Sequence, residues 1–392
     1  MSWNRESPMD QKVRLIGDWL SGAYSKHQLA LSYGISRPTL DKWLQRYATA
    51  GLDGLKEASR RPLSSPFQTC DAHIAALIEL KHQHHDWGPK KLVKVLSNRY
   101  PECHWPAPST AGEWLKRAGL VQERRKRNRP PTGPVKLRPA DLPNQTWAAD
   151  FKGDFLMADG RRCYPLTLTD QASRFILLCR AQPSVAGARE GFDWAFREYG
   201  LPDVIRTDNG SPFASTGLNR LSSLAVWWIR LGIYPERIQP GRPDQNGRHE
   251  RMHRSLKAAL LKTPEANMVQ QQLAFERFRQ EFNHDRPHEA LGMKVPNDLY
   301  DKSPRIYTGW VPPAEYGADM EVRKVRTDGS MKWRGRMIFL SESLVGESVG
   351  LREVDDNVWD MYLCNYPLGR LDSGASRLSS TQKRKGCPRS RL

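Results

Sequence analysis

Between Trp147 and Asn283 the apolar residues change their spacing in a fixed succession, and that succession restricts the fold more than any other feature of the chain. Three short apolar runs come first, Trp147 to Leu156, Cys163 to Asp170 and Arg174 to Ala181, parted by Asp159-Gly160 and by Asp170 to Ser173. Runs of this length bounded by turn residues predict an antiparallel meander. The pattern then alternates: a helix from Ala186 to Tyr199, a strand from Asp203 to Thr207, a helix from Leu218 to Leu231 and a strand from Gly232 to Gln239. Two helices follow, about Asn246 to Lys262 and Val269 to Asn283. Strand-helix alternation brings neighbouring strands parallel, so a mixed α/β unit is expected over residues 143–302.

A chain of 392 residues has room for several further modules. Ser25 with Gln28 three positions later reads as a capping box, Gly34 as a tight turn, and Ser36 with Pro38 as the start of a helix from Arg37 to Tyr47. This predicts a helix-turn-helix within residues 1–62. Leu40, Trp43, Leu44 and Tyr47 are expected to pack inward, leaving Arg37, Thr39, Lys42 and Arg46 for phosphates and base edges. A second unit of this design is expected over 69–121, from helices Asp71 to His85, Pro89 to Asn98 and Ser109 to Ala118, with Lys116 and Arg117 on its last helix. A basic, Pro-containing linker is expected at 122–142. Beyond Pro312 alternating residues across Asp328-Gly329, then Ser348 to Val354 and Val358 to Asn365, predict a small SH3-like β-barrel over 313–372. Its Arg323, Lys324, Lys332 and Arg334 form a basic face, and residues 373–392 read as a disordered basic tail.

Lys and Arg number 61 against 43 Asp and Glu, a net charge of +18, which favours a polyanionic partner. Double-stranded DNA fits best. The longest apolar run, Leu224 to Ile229, is too short to span a bilayer, and the first ten residues carry no apolar signal segment, so a cytoplasmic protein is expected. The six cysteines show no C-x-x-C pair. His82, His84, His85, Cys103 and His104 raise the question of zinc, but a second cysteine is missing and surface histidines are the favoured reading.

Asp150 interrupts the apolar run Trp147-Ala148-Ala149-Asp150-Phe151, where an unpaired charge is costly to bury unless a divalent cation offsets it. Asp208 ends the strand Val204 to Thr207, at the carboxyl edge where α/β sheets keep their sites. Glu250 lies on the next-but-one helix with His253, Arg254 and Lys257 at i+3, i+4 and i+7, one acid beside three potential phosphate contacts. For His253 a structural role is an equal alternative. Asp154 is the rival for the first acid, on the same strand face but less deep. Asp170 is read as a turn residue, Glu236 as a surface charge at a strand end, and Asn209 with Gly210 as shaping the loop under Asp208.

These segments, Trp-Ala-Ala-Asp-Phe-Lys-Gly around Asp150, Thr-Asp-Asn-Gly-Ser-Pro-Phe around Asp208 and Gln-Asn-Gly-Arg-His-Glu-Arg-Met-His-Arg-Ser-Leu-Lys around Glu250, resemble the integrase core of insertion-sequence transposases, the DDE superfamily shared with retroviral integrases. Asn283-His284-Asp285-Arg286-Pro287-His288-Glu289-Ala290-Leu291-Gly292 resembles the segment that closes this core in the bacterial branch. One departure is the long spacer between Asp208 and Glu250, with Ser215 to Ser223 the apparent insertion. The resemblance implies a ribonuclease-H-like core in which Asp150, Asp208 and Glu250 hold two Mg²⁺ (or Mn²⁺). It also implies 3′-end cleavage at inverted repeats, strand transfer into target DNA, and a dimer or higher multimer on DNA. Two other classes remain open: a DNA-binding regulator with a silent core, and a nuclease that cuts without joining.

Overall fold

A computed structural model of the chain describes residues 7–57, 69–121, 137–260, 263–372 and 377–379. The greater part of the expected linker, 122–136, lies outside the described residues, as does the expected disordered tail apart from 377–379. The chain divides into two compact units, residues 1–69 and 70–392.

In the first unit α1 (Pro8–Leu20), α2 (Lys26–Ser32) and α3 (Arg37–Ala50) enclose Leu15, Ile16, Leu29 and Leu40. Reciprocal capping boxes open two of these helices, Ser7 with Asp10 and Ser25 with Gln28, each satisfying a backbone N–H that a helix start leaves without a partner. Gly34 supplies the left-handed backbone of the turn, with φ +61°. Of Leu40, Trp43, Leu44 and Tyr47, only Leu40 is fully buried, and Trp43 and Tyr47 pack less deeply than expected. Trp43 is only half buried, because Lys12 Nζ lies 4.0 Å and the Arg46 guanidinium 5.1 Å from its ring centre, a cation–π arrangement that holds the indole at the surface.

The second unit begins with α4 (Asp71–Gln83), α5 (Pro89–Arg99) and α6 (Pro108–Arg117), packed around Leu77, Trp87, Leu92 and Leu115. Lys81 Nζ donates to the carbonyls of His85 and Trp87 at 2.5 and 2.9 Å and closes the turn between the first two helices.

The central sheet consists of β1 (Thr146–Phe151), β4 (Leu166–Asp170), β5 (Ile176–Arg180), β6 (Val204–Thr207) and β7 (Tyr234–Arg237), in the order β5-β4-β1-β6-β7. A ribbon of β2 (Phe155–Leu156) and β3 (Arg162–Cys163) stands apart from it. β5, β4 and β1 run antiparallel, whereas β1, β6 and β7 run parallel, as the meander and the alternation require. Helices α7 (Ala188–Tyr199), α8 (Ser223–Arg230), α9 (Gly247–Ala259) and α10 (Met268–Gln280) complete this part. Every residue of β4 and β6 is buried, because helices cover both faces.

The C-terminal strands β8 (Glu321–Lys324), β11 (Ser348–Asp355), β12 (Val358–Leu363), β13 (Tyr366–Asp372) and β14 (Arg377–Ser379) form an antiparallel sheet in the order β14-β13-β12-β11-β8. β9 (Ser330–Trp333) and β10 (Arg336–Phe339) form a hairpin turning at Arg334 and Gly335. Among the described residues no ladder joins β14 to β8, and five strands plus a hairpin stand where a closed barrel was expected. β14 itself falls in the stretch expected to be disordered; Leu378 pairs with Leu371 and packs on the core.

This sheet shares one continuous apolar core with the central sheet, reaching from Trp147 and Phe192 through Trp227 and Trp228 to Leu344, Val349 and Leu363. The insertion before α8 makes the join. Asn219 Nδ2 donates to the carbonyls of Pro367 and Leu368 at 3.1 and 2.6 Å, and the Tyr234 and Tyr366 rings lie 5.2 Å apart. Arg230 pairs with Glu347.

Candidate active site

Parallel pairing of β1 with β6 sets Ala148 beside Arg206, and two residues further along each strand come Asp150 and Asp208. Both acids therefore reach the same carboxyl edge of the sheet. Trp147, Ala148 and Ala149 are fully buried and Asp150 is partly so, with its side chain 23% exposed. Burial first, and the nearby charges of Asp208 and Glu250, push the Asp150 carboxyl up to about 7 against the pull of Lys152 and of a backbone N–H. A carboxyl so disfavoured from ionising by burial and by two neighbouring acids calls for an offsetting positive charge.

Asp208 is shaped by its own loop. Its Oδ1 accepts the N–H of Gly210 at 3.0 Å, and Asn209 Nδ2 donates to the Ile238 carbonyl at 2.8 Å, tying the loop to the residue after β7. A β-carbon on Gly210 would come within 3.1 Å of Asp208 Oδ2, so any larger residue presses on this carboxylate. Glu250 stands exposed in the first turn of α9, where the helix N-terminus favours negative charge.

His253 does not lie on the exposed face with Glu250, Arg254 and Lys257. It is 4% exposed, and its Nε2 is 2.7 Å from Thr167 Oγ1 while its Nδ1 is 3.6 Å from Asp150 Oδ2. The proposed phosphate contact at His253 is thereby corrected: at i+3 the side chain turns inward beneath Asp150, out of reach of a DNA backbone. His249 sits below it with both ring nitrogens 2.8 Å from hydroxyls, Nε2 to Thr167 and Nδ1 to Thr169. Burial lowers both histidines, His249 to about 3, so both are neutral at physiological pH. Thr167 Oγ1 also donates to the Asp150 carbonyl at 3.0 Å. Asp150, His249 and His253 offer ligand atoms within 4.8 Å of one another. Three of the four imidazole nitrogens are already held by threonine hydroxyls, however, which makes this a positioning network more than a coordination sphere. Sequence reasoning missed Thr167, Thr169 and His249; the signal was Leu-Thr-Leu-Thr-Asp, alternating polar residues in a strand buried on both faces.

Three other acids differ from their sequence reading. Asp154 lies beyond the end of β1 and pairs with Arg162 across the β2–β3 ribbon, so it does not share a strand face with Asp150. Asp170 does hold a turn, but from full burial, accepting from the N–H groups of Asn144 and Ser173 and from the Ser173 hydroxyl. Glu236 is not a surface charge: it meets the buried Arg206 at 2.8 Å with its own side chain 12% exposed.

Of the expected DNA contacts, Arg37, Lys42, Lys116, Arg117, Arg254 and Lys257 are exposed. Thr39 is half buried with its hydroxyl 2.9 Å from Ser36 Oγ, and Arg46 leans on Trp43. Lys324 and Lys332 are exposed, while the guanidinium groups of Arg323 and Arg334 lie 5.2 and 5.7 Å from the Trp333 ring centre. His84 is 2.9 Å from Glu281 and its ring stacks on Trp87 at 3.8 Å; no cluster of zinc-ligand type forms around it among the described residues. No helix in the described residues is long and apolar enough to cross a membrane.

Matches to protein families agree with this layout. Residues 140–243 and 231–296 match integrase core domains, residues 11–62 a helix-turn-helix domain and residues 39–115 a homeodomain-like domain. Residues 320–377 match the C-terminal domain of IS481 family transposases. The chain is 27% identical over 276 residues to an uncharacterized 39.2 kDa protein of insertion element IS476 from Xanthomonas euvesicatoria, covering 70% of this chain and 72% of that one. It is also 27% identical over 255 residues to an uncharacterized 31.7 kDa protein of insertion element IS407 from Burkholderia multivorans, covering 64% of this chain and 88% of that one. Among solved structures, a simian T-cell lymphotropic virus intasome in complex with PP2A regulatory subunit B56 gamma aligns at 18% identity and a TM-score of 0.37, over 78% of this chain and 100% of that chain.

Proposed function

The chain carries an integrase core domain and the C-terminal domain of IS481 family transposases, and from that premise we propose that it is the transposase of an insertion element. It binds the terminal inverted repeats through its helix-turn-helix units, cuts at the 3′ ends and joins them to target DNA. The supporting observation is that Asp150 and Asp208 follow paired positions of two parallel strands at one sheet edge, and that burial and the charges of Asp208 and Glu250 raise the Asp150 carboxyl far above the usual carboxylate range.

An all-oxygen donor set of three acids suits a hard divalent cation, and Asp150, Asp208 and Glu250 would hold two Mg²⁺ or Mn²⁺. Bound there, such ions supply an activated water or 3′-hydroxyl and offset charge on the leaving oxygen. Thr167 and His253 orient Asp150 from below, Gly210 and Asn209 orient Asp208, and Arg254 and Lys257, one and two turns along α9 from Glu250, meet flanking phosphates. In the first unit Arg37 and Lys42 meet the transposon end, with Lys116 and Arg117 in the second; Lys324 and Lys332 of the C-terminal sheet grip backbone without regard to sequence. Two ends held together require at least two copies of the chain on DNA, in the bacterial cytoplasm.

The test is incubation of the protein with Mg²⁺ and duplexes carrying the ends that flank its own gene. Cut and joined products are expected. Binding with no cutting would leave a DNA-binding regulator, and cutting with no joining would leave a nuclease.

A further inference from the structure

A cavity of about 380 Å³, lined by none of the three acids, opens where the second helical module, α9 and the turn after β4 meet. Its walls carry six cationic side chains, Lys91, Arg174, Arg248, Arg251, Arg254 and Arg286, against two carboxylates. Only Asp86 balances one of them, Arg286. Asp170 is taken up by Asn144 and Ser173, and Asp86 by Arg286 at 2.7 Å. Among the described residues Arg174, Arg251 and Arg254 form no ion pair with any acid. Arg286 is 9% exposed, and its Nε finds no hydrogen-bond partner.

Four separate stretches of chain bring these cations together: α5, the turn Asp170–Arg174, α9 and the segment after α10. Packing like charges into a half-enclosed space costs free energy, and the cost registers on the side chains. Lys91 is held down to about 8, by burial and by Arg286, and Arg174 to about 10, by burial and by Arg248 and Arg251. Arg174 also sits at φ +68°, a left-handed backbone that a side chain rarely adopts, and this aims it into the cluster from a tight turn. Met252 and Phe282 give the cavity apolar wall. A rigid fork of guanidinium donors over a space of this size matches the oxygens of a phosphate.

We propose that this cavity binds a phosphate group, carried either by a DNA strand that crosses α9 or by a phosphate-bearing small molecule. The cavity shares Arg254 with the phosphate contacts proposed above but is lined by none of the three acids, so a chain with no catalysis would still bind phosphate there. The variants below leave Arg254 in place, so that failure of either reading leaves the other standing.

The test uses the full chain and its Arg251→Gln and Arg174→Gln variants. Arg251 is exposed on α9 and its loss leaves the fold intact; Arg277→Gln, which removes one exposed charge from α10, is the control. Duplex affinity is measured over a range of salt, and thermal melting is followed with and without millimolar inorganic phosphate. If the phosphate belongs to DNA, each cavity variant lowers the slope of log affinity against log salt by about 0.9, the value of one phosphate contact, and the control does not. If it belongs to a small molecule, the slopes stay equal, while inorganic phosphate raises the melting temperature of the wild type and of the control but of neither cavity variant. Equal slopes together with no phosphate effect on wild-type melting would overturn the proposal.

Discussion

His253 Nδ1 stands 3.6 Å from Asp150 Oδ2, while the opposite nitrogen of the same ring is 2.7 Å from Thr167, whose hydroxyl also holds the Asp150 carbonyl. The ring is thus wedged between the side chain and the strand of the buried acid. His253→Ala is expected to slow DNA cutting about 10- to 100-fold, the usual loss when a partner that orients a metal ligand is removed. Affinity for DNA should change little. Fluorescence anisotropy together with single-turnover cutting separates the two, and weakened binding with unchanged cutting would return His253 to the DNA surface.

The C-terminal sheet is joined to the central sheet by a common apolar core, by Asn219 and by the Arg230–Glu347 pair. Removing residues 313–392 therefore uncovers the face of α8 that packs against the Glu342–Leu344 turn, at about 1.5–3 kcal/mol for each large apolar side chain exposed. The truncated chain is expected to aggregate or to melt well below the full protein in calorimetry. A truncated chain that stays monomeric and melts at the same temperature would make the sheet an independent module.

His288 gives a pH dependence whose sign follows from its surroundings. Burial first, and then Lys91, Arg286 and Arg174, lower it to about 3, whereas in the unfolded chain it titrates near 6.5. Between those values the unfolded chain binds the extra proton, so the contribution of His288 to stability is full above about pH 6.5 and is lost as pH falls toward 3. From neutral pH to about pH 5 this group alone costs up to ~2 kcal/mol. His288→Gln should lose less stability than the wild type over that interval in urea unfolding. Equal losses would show that His288 is not held neutral in the folded protein.

The order of elements was legible in the sequence because period and turn residues are local properties. The helix expected from Ala186 to Tyr199 runs from Ala188 to Tyr199, and the strand expected from Asp203 to Thr207 runs from Val204 to Thr207. What escaped depends on contacts between distant segments. Glu236 reads as an exposed strand end until β6 places the buried Arg206 beside it. His253 reads as a helix-surface residue until α9 settles over β4 and turns it toward Thr167. The Asn283 segment was noticed by resemblance, but its work is physical: Asn283 pairs with both the N–H and the carbonyl of Ile176, at 2.8 and 3.0 Å, and Arg286 anchors the second helical module through Asp86. Closure of the expected barrel is not seen among the described residues, since alternation predicts strands but not which edges pair.

The central claim is that Asp150, Asp208 and Glu250 act together on DNA phosphates, and the most direct measurement is Mg²⁺-dependent cutting and joining of end-bearing duplexes by Asp150→Asn, Asp208→Asn and Glu250→Gln, with Asp154→Asn as the paired control. Each of the three should lose both cutting and joining while binding the ends about as tightly as the wild type, and the control, whose carboxylate pairs with Arg162, should retain activity. Substantial strand transfer by any of the three variants would contradict the account and remove that residue from the site.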